Sequence, residues 1–265
     1  MNCLIKEPMH IYHEKAAQFL SSHQLADFRN CPFLYRKKKL GLIPDVDRPA
    51  YAIGRATHTL TLEGQKVFDA EYAIGGPINE KTGKPYGSTT KKYAEWAFEH
   101  GKNTLTDSQY ALVCQMYEGV RSHKFAVKLL SEGTPEAVVR AEYRKKDCQI
   151  RLDWLNPKLG IVDLKTCDNL QWFEADAKRY GYMYQLAFYR SILEAATKHI
   201  YPVHIIAVEK TEPFRCGAWF IHDNVLKSAQ TENESAILRL CEAEQKEEWI
   251  TGYENVRAFS PENSF

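Results

Sequence analysis

The sequence predicts a mixed α/β (α+β) fold, a β-sheet flanked by helices and preceded by a mainly helical N-terminal part. Three observations predict it. Capping and breaking signals make the first 60 or so residues helical. From residue 137 onward, short runs alternate in the period of a strand. Long helical stretches then separate and follow those runs, in the order strand–strand–strand–helix–strand–strand–helix. No internal repeat, low-complexity tract or linker divides the 265 residues. Residues 1–265 therefore read as a single domain, with 1–135 mainly helical and 136–250 holding the sheet.

In chain order, Ser21-Ser22 caps a helix beginning near His23, and Cys31-Pro32 ends it. A second helix is expected over residues 53–62. Residues 75–88 hold four glycines and two prolines and read as an exposed, mobile loop. Helices follow over residues 90–100 and 107–131. Residues 137–143, 148–155 and 160–166 are the first three strands. Asp147 and residues 156–160 supply the turns, and such short connections make an antiparallel meander. A long helix over residues 172–198, strands over 203–209 and 216–221, and a closing helix over 224–249 complete the order.

Composition narrows the class. Hydrophobic residues are 44% and charged residues 26% of the chain, the balance of a soluble globular protein. No apolar run is long enough to span a bilayer, so no membrane partner is expected. Residues 1–13 lack the pattern of a secretory signal. The seven cysteines are scattered with no CxxC pair, which argues for reduced thiols in a cytoplasmic protein. It also argues against a zinc knuckle or an iron–sulfur cluster, both of which need clustered ligands. A net charge of +1 gives no overall basicity for coating nucleic acid. The short basic runs Arg36-Lys37-Lys38-Lys39, Lys91-Lys92 and Arg144-Lys145-Lys146 each read as solvated surface charge. Residues 232–248 are acid-rich.

The chemistry concentrates in the second and third strands. Residues two apart in a strand share a face, so Asp163 and Lys165 point one way and Val162 and Leu164 the other. Asp153 lies one turn earlier and can project to the same point. Two converging carboxylates need a counter-charge, and a divalent cation supplies it. Hard oxygen ligands suit Mg²⁺ or, second, Mn²⁺. Lys165 would orient water or stabilise charge on a phosphate. The bland alternative makes Asp153 and Asp163 edge charges with Lys165 as their salt-bridge partner. On the following helix Tyr182, Gln185 and Tyr189 share a face, while Phe188 and Tyr184 read as core. A buried glutamine needs a hydrogen-bond partner. His58, with Glu63 five residues on, is a lone histidine whose role depends on what the fold brings to it.

These pieces together resemble the PD-(D/E)xK nuclease superfamily, and within it the RecE-type exonucleases (exodeoxyribonuclease VIII-like nuclease domains) of the RecB-like branch, often carried by phages and prophages. Residues 20–25 followed by Asn30-Cys31-Pro32 resemble the opening helix of that branch. Gly54, His58, Leu62 and Glu63 match its G-x-x-x-H-x-x-x-L-E segment. Asp153, then Asp163-Leu164-Lys165-Thr166, match the split acidic motif, and Gln185 and Tyr189 match Q-x-x-x-Y. The lysine-bearing loop and residues 91–130 resemble the linking helical region. The likeness spans about residues 20–222.

The resemblance implies a restriction-endonuclease-like core. It implies that His58, Asp153, Asp163 and the Leu164 backbone carbonyl hold the metal. Lys165 would be the catalytic lysine, and Gln185 and Tyr189 would position it or the DNA backbone. Glu63 and Glu142 are weaker candidates. It further implies 5′-to-3′ digestion of double-stranded DNA ends, 3′ single-stranded tails, a single-strand annealing recombination partner and a homo-oligomeric ring. Asp163 stands where many superfamily members carry Glu; the RecE-like branch carries Asp there, which supports the resemblance to that branch. The cysteine cluster of the iron–sulfur relatives is missing. The rival readings are a structure-specific or single-strand endonuclease of the same superfamily, a non-catalytic DNA-binding protein that keeps the fold, and an unrelated α/β protein.

Overall fold

In a computed structural model, which describes residues 3–44 and 49–257, a short helix α1 (Met9–Glu14) leads to α2 (Ser22–Asn30). A capping box opens α2: Ser21 Oγ accepts from Gln24 N–H, and the Gln24 side chain accepts from Ser21 N–H. Cys31-Pro32 ends α2 as the sequence indicates. The chain nevertheless re-enters a helix at once, α3 (Pro32–Lys39), because proline fits a helix's first turn and Cys31 Sγ caps Leu34 N–H.

The helix expected over 53–62 starts earlier and ends differently. It is α4 (Pro49–His58), continued by a π-helical turn (Thr59–Glu63) and then α5 (Gln65–Glu71). Next come β1 (Tyr72–Ile74), β2 (Ile78–Asn79), β3 (Lys84–Pro85), α6 (Lys91–His100) and β4 (Asn103–Leu105). The glycine-rich stretch thus contains a small β2–β3 hairpin, and β1 pairs in parallel with β4. Strands of two or three residues are too short for alternation to reveal. The helix expected over 107–131 is two, α7 (Asp107–Ser122) and α8 (Lys124–Leu129). His123 breaks it, extended at φ −88°, with Nδ1 accepting from Ala126 N–H at 3.1 Å.

The main sheet contains β5 (Thr134–Tyr143), β6 (Lys146–Asn156) and β7 (Gly160–Cys167). After α9 (Phe173–Arg179) and α10 (Tyr182–Thr197) come β8 (Val203–Glu209) and β9 (Cys216–Phe220), and α11 (Asp223–Lys246) follows. Strand order equals chain order, β5-β6-β7-β8-β9. Within this sheet β7 and β8 are the parallel pair, and the long crossover α9–α10 makes that pairing feasible. The sheet is therefore mixed and flanked by helices, as expected. Two boundaries differ. Arg144 and Lys145, both left-handed (φ 51° and 63°), form the two-residue β5–β6 turn, and Asp147 lies inside β6. The helix expected over 172–198 breaks at Gly181, which takes φ 71° between α9 and α10.

Strand alternation then sorts the core into two layers. Ile150, Leu152, Ile161, Val203 and Ile205 pack under α2, α10 and α11. On the opposite face, Val162, Leu164, Ile206 and Val208 pack under α4, α7 and α8. Each such fully buried side chain contributes about 1.5–3 kcal/mol relative to exposure. No helix among the described residues is long and apolar enough to cross a membrane.

Candidate active site

The site forms where two strands part. β6 and β7 pair at Asn156–Gly160, Leu155–Ile161 and Trp154–Val162, and then separate. The next pair in that register is Asp153 with Asp163, so both carboxylates stand at the fork. Leu164 N–H, facing the opened side, donates to Asp153 Oδ2 at 2.8 Å, a side chain taking the place of a ladder bond. The alternation of β6 also breaks at this level. Leu152 and Leu155, three apart, enter the same core, whereas regular pleating would put them on opposite faces. The partner strand is distorted at the same level. Glu136 stands opposite Asp153, between the pairs Pro135–Trp154 and Ala137–Leu152. Its φ is 51°, a left-handed conformation costing a non-glycine residue roughly 1–2 kcal/mol.

Both helical layers reach the fork. From one, α4 lies on β7 with Gly54 beside Thr166 Oγ1, and one turn later His58 Nδ1 is 3.6 Å from Asp153 Oδ2. From the other, Gln185 Nε2 donates to Tyr189 Oη at 2.9 Å. Lys165 Nζ lies 4.9 Å from the Tyr182 ring centroid.

Burial governs the electrostatics. Asp163 is 1% exposed, and its Oδ2 sits 2.7 Å from Lys165 Nζ. Lys165 is thus the charged partner of a carboxylate oxygen buried away from water. Burial raises the Asp163 carboxyl above its ordinary range, Lys165 opposes this, and Asp153 adds to it. Asp153 is likewise raised by burial, against Lys165 and the Leu164 N–H. Lys165 would be lowered by burial, but Asp163 and Asp153 outweigh this and keep it protonated. His58 leaves 25% of its side chain open at the mouth of the fork. Burial of the ring, with Lys165 nearby, lowers it to about 4 against Asp163 and the Leu164 backbone. Imidazole is thus neutral near pH 7, the state that binds metal. Burial and the Asp153 charge raise Glu136 to about 7, against Arg151. Burial pushes Tyr189 well up, so it stays a protonated donor.

A sequence family described as a PDDEXK-like domain of unknown function (DUF3799) matches residues 21–259. The chain belongs to this family. Among solved structures it is similar to a candidate exonuclease from Eubacterium rectale, with 16% identity over 97% of this chain and 96% of that one and a TM-score of 0.70. It is also similar to a phage-related exonuclease from Haemophilus somnus 129PT, with 14% identity over 86% of this chain and 96% of that one and a TM-score of 0.38. No curated protein matches the chain. The PD-(D/E)xK nuclease fold expected from the motifs is the fold of this chain.

In this PDDEXK-like domain, His58, Asp153, Asp163, Leu164, Lys165, Gln185 and Tyr189 meet at one fork from α4, β6, β7 and α10. The grouping within it differs from the expected metal set. Among the described residues, ligand atoms of His58, Glu136 and Asp153 lie within 4.8 Å of one another, while Asp163 is turned to Lys165. Glu136 escaped the sequence reading because it falls one residue outside the expected strand, next to Pro135, and reads as loop. Glu142 is instead exposed near the far end of β5, roughly 20 Å from Glu136 along the strand. Glu63, half-buried in the π turn, is close enough for its charge to raise Glu136.

Two surface readings change. Tyr184 is not core: it stands at the surface with the Arg29 guanidinium 4.3 Å over its ring, while Phe188 is buried as expected. Two of the basic runs are paired charge. Lys38 binds Asp27, and Arg36, Lys39, Arg144 and Lys146 bind Glu247, Glu244, Glu234 and Glu244 of the acid-rich segment.

Proposed function

We propose that this chain is a divalent-metal-dependent DNA exonuclease that hydrolyses phosphodiester bonds at the ends of linear duplexes. The observation that carries it is the convergence at one fork of the buried Asp163 carboxylate, ion-paired to Lys165, with Asp153 and a neutral His58. Such a donor set fits a hard divalent cation, Mg²⁺ or Mn²⁺, held by His58, Asp153, Asp163 and the Leu164 backbone carbonyl. When bound, the cation supplies charge for a phosphoryl oxygen and acidifies water. The chain's own residues do the rest. Lys165, kept protonated by two carboxylates, stabilises negative charge as it develops on the phosphate. Gln185 donates to Tyr189 Oη and so leaves the Tyr189 proton free to donate towards the fork.

The 5′-to-3′ polarity, the 3′ tails, the strand-annealing partner and the ring rest on the RecE-type resemblance of residues 20–222. End-labelled linear duplex with Mg²⁺, labelled at each 5′ end and each 3′ end in turn, tests the exonuclease reading. The expected result is early release of 5′ label as short products and none from a closed circle. Nicking of closed circles at a comparable rate would favour the endonuclease rival. Binding without hydrolysis would favour the non-catalytic one.

A further inference from the structure

We infer that Glu136 is a further protein ligand to the cation held at the fork, an inference that rests on the metal-dependent reading above. The residue stands opposite Asp153 in the β5–β6 pair. Its carboxylate, the Asp153 carboxylate and the His58 imidazole place one donor atom each within 4.8 Å of one another. Donors around a small divalent cation at about 2.1 Å lie at most about 4.2 Å apart. Small side-chain rotations would therefore close the set.

Two independent features point the same way. The left-handed φ of 51° at Glu136 falls within β5, between residues paired with β6 on either side, where no turn requires it. A backbone conformation of that cost persists where the surroundings over-determine it, and such residues gather at ligand clamps. Its effect here is local to the site, because the pleat of β5 and β6 is disturbed at the level of Asp153. The second feature is what holds Glu136 now. Arg151 Nε donates to Glu136 Oε2 at 2.5 Å, but Arg151 Nη1 is buried with no hydrogen-bond partner. A permanent guanidinium–carboxylate pair is commonly bidentate. A single-point contact leaves the carboxylate able to turn towards Asp153 without dismantling a fork of hydrogen bonds. Nearby, Asp163 Oδ2, buried and held by Lys165 at 2.7 Å, adds a further carboxylate oxygen to the same space. With Glu136, the shell comprises three carboxylates, one imidazole and the Leu164 carbonyl, and Arg151 and Lys165 remain beside it as balancing charges.

The test is Mn²⁺ binding by the full chain, read from the paramagnetic resonance signal of free Mn²⁺ and from the rise in melting temperature on adding the ion. Neither readout depends on DNA hydrolysis. Glu136→Gln keeps an acceptor for Arg151 but removes the charge. It is expected to weaken Mn²⁺ binding by at least the ~10-fold that losing an outer partner of a metal site already costs. Glu136→Asp, which retains the charge on a shorter arm, should recover part of the affinity, and it keeps the comparison open if the glutamine variant does not fold. Asp153→Asn should weaken binding further. Wild-type affinity in Glu136→Gln alongside a loss in Asp153→Asn would overturn the role of Glu136 and leave the nuclease reading intact. No Mn²⁺ binding by the wild type would sink the metal reading itself, and Glu136 with it.

Discussion

Asp153 performs two tasks with one side chain. Its Oδ2 accepts the Leu164 N–H that the parted strands leave facing the fork, and its charge joins that of Asp163 in a buried space balanced by Lys165. The first task needs only an acceptor, and the second needs the charge. Asp153→Asn separates them. The asparagine carbonyl can still accept from Leu164, while one buried negative charge is removed. The metal-free variant is expected to melt at or above the wild-type temperature, with duplex digestion slowed by roughly 10²–10³-fold. A large fall in melting temperature would show that the charge holds the fold together. At this scale the sequence was partly legible. Asp163 between Val162 and Leu164 announces a polar group in an apolar strand, and Lys165 follows it on the same face. Glu136 does not announce itself, since neither its left-handed backbone nor its register with Asp153 has a local sequence signal.

Elements carry the site only if their ends are fixed. The turn after β7 is fastened by Glu209 of β8, which is 2% exposed. Its carboxylate accepts from Leu170 N–H at 2.8 Å and from Arg215 Nη2 and Nε at 2.6 and 2.8 Å. The hydrogen bonds from Arg215 come first among the causes that hold Glu209 below the ordinary glutamate value of 4.5. A carboxyl depressed in the folded state contributes stability above its unfolded value and loses it as pH falls through its folded value. Denaturant titrations at neutral pH and below pH 4.5 should therefore show a steeper acid loss in wild type than in Glu209→Gln. Equal slopes would mean that Glu209 contributes nothing to acid sensitivity. Element order and the meander were readable from alternation and turn residues. The breaks at His123 and Gly181 were not, because a histidine or a single glycine inside a helical pattern is compatible with continuation until tertiary packing decides.

Across the whole molecule, a near-neutral chain arranges its charge internally. The basic ends of α3 and of the β5–β6 turn meet acidic residues of α11 and of its C-terminal end, so these runs tie the last helix to α3 and to the sheet. Pairings between residues some 90 to 210 positions apart cannot be read from local charge patterns, whereas the nuclease fold could be, because its motifs fall in order along the chain. The claim that binds residue, element and fold together is that the fork hydrolyses DNA with a divalent cation and Lys165. The most direct measurement is the single-turnover digestion rate of linear duplex in Mg²⁺, with and without chelator, for wild type and for Lys165→Ala checked for folding by circular dichroism. Activity that chelator abolishes is expected, with a loss of roughly 10²–10³-fold in Lys165→Ala. Chelator-resistant digestion, or an unimpaired Lys165→Ala, would contradict the claim.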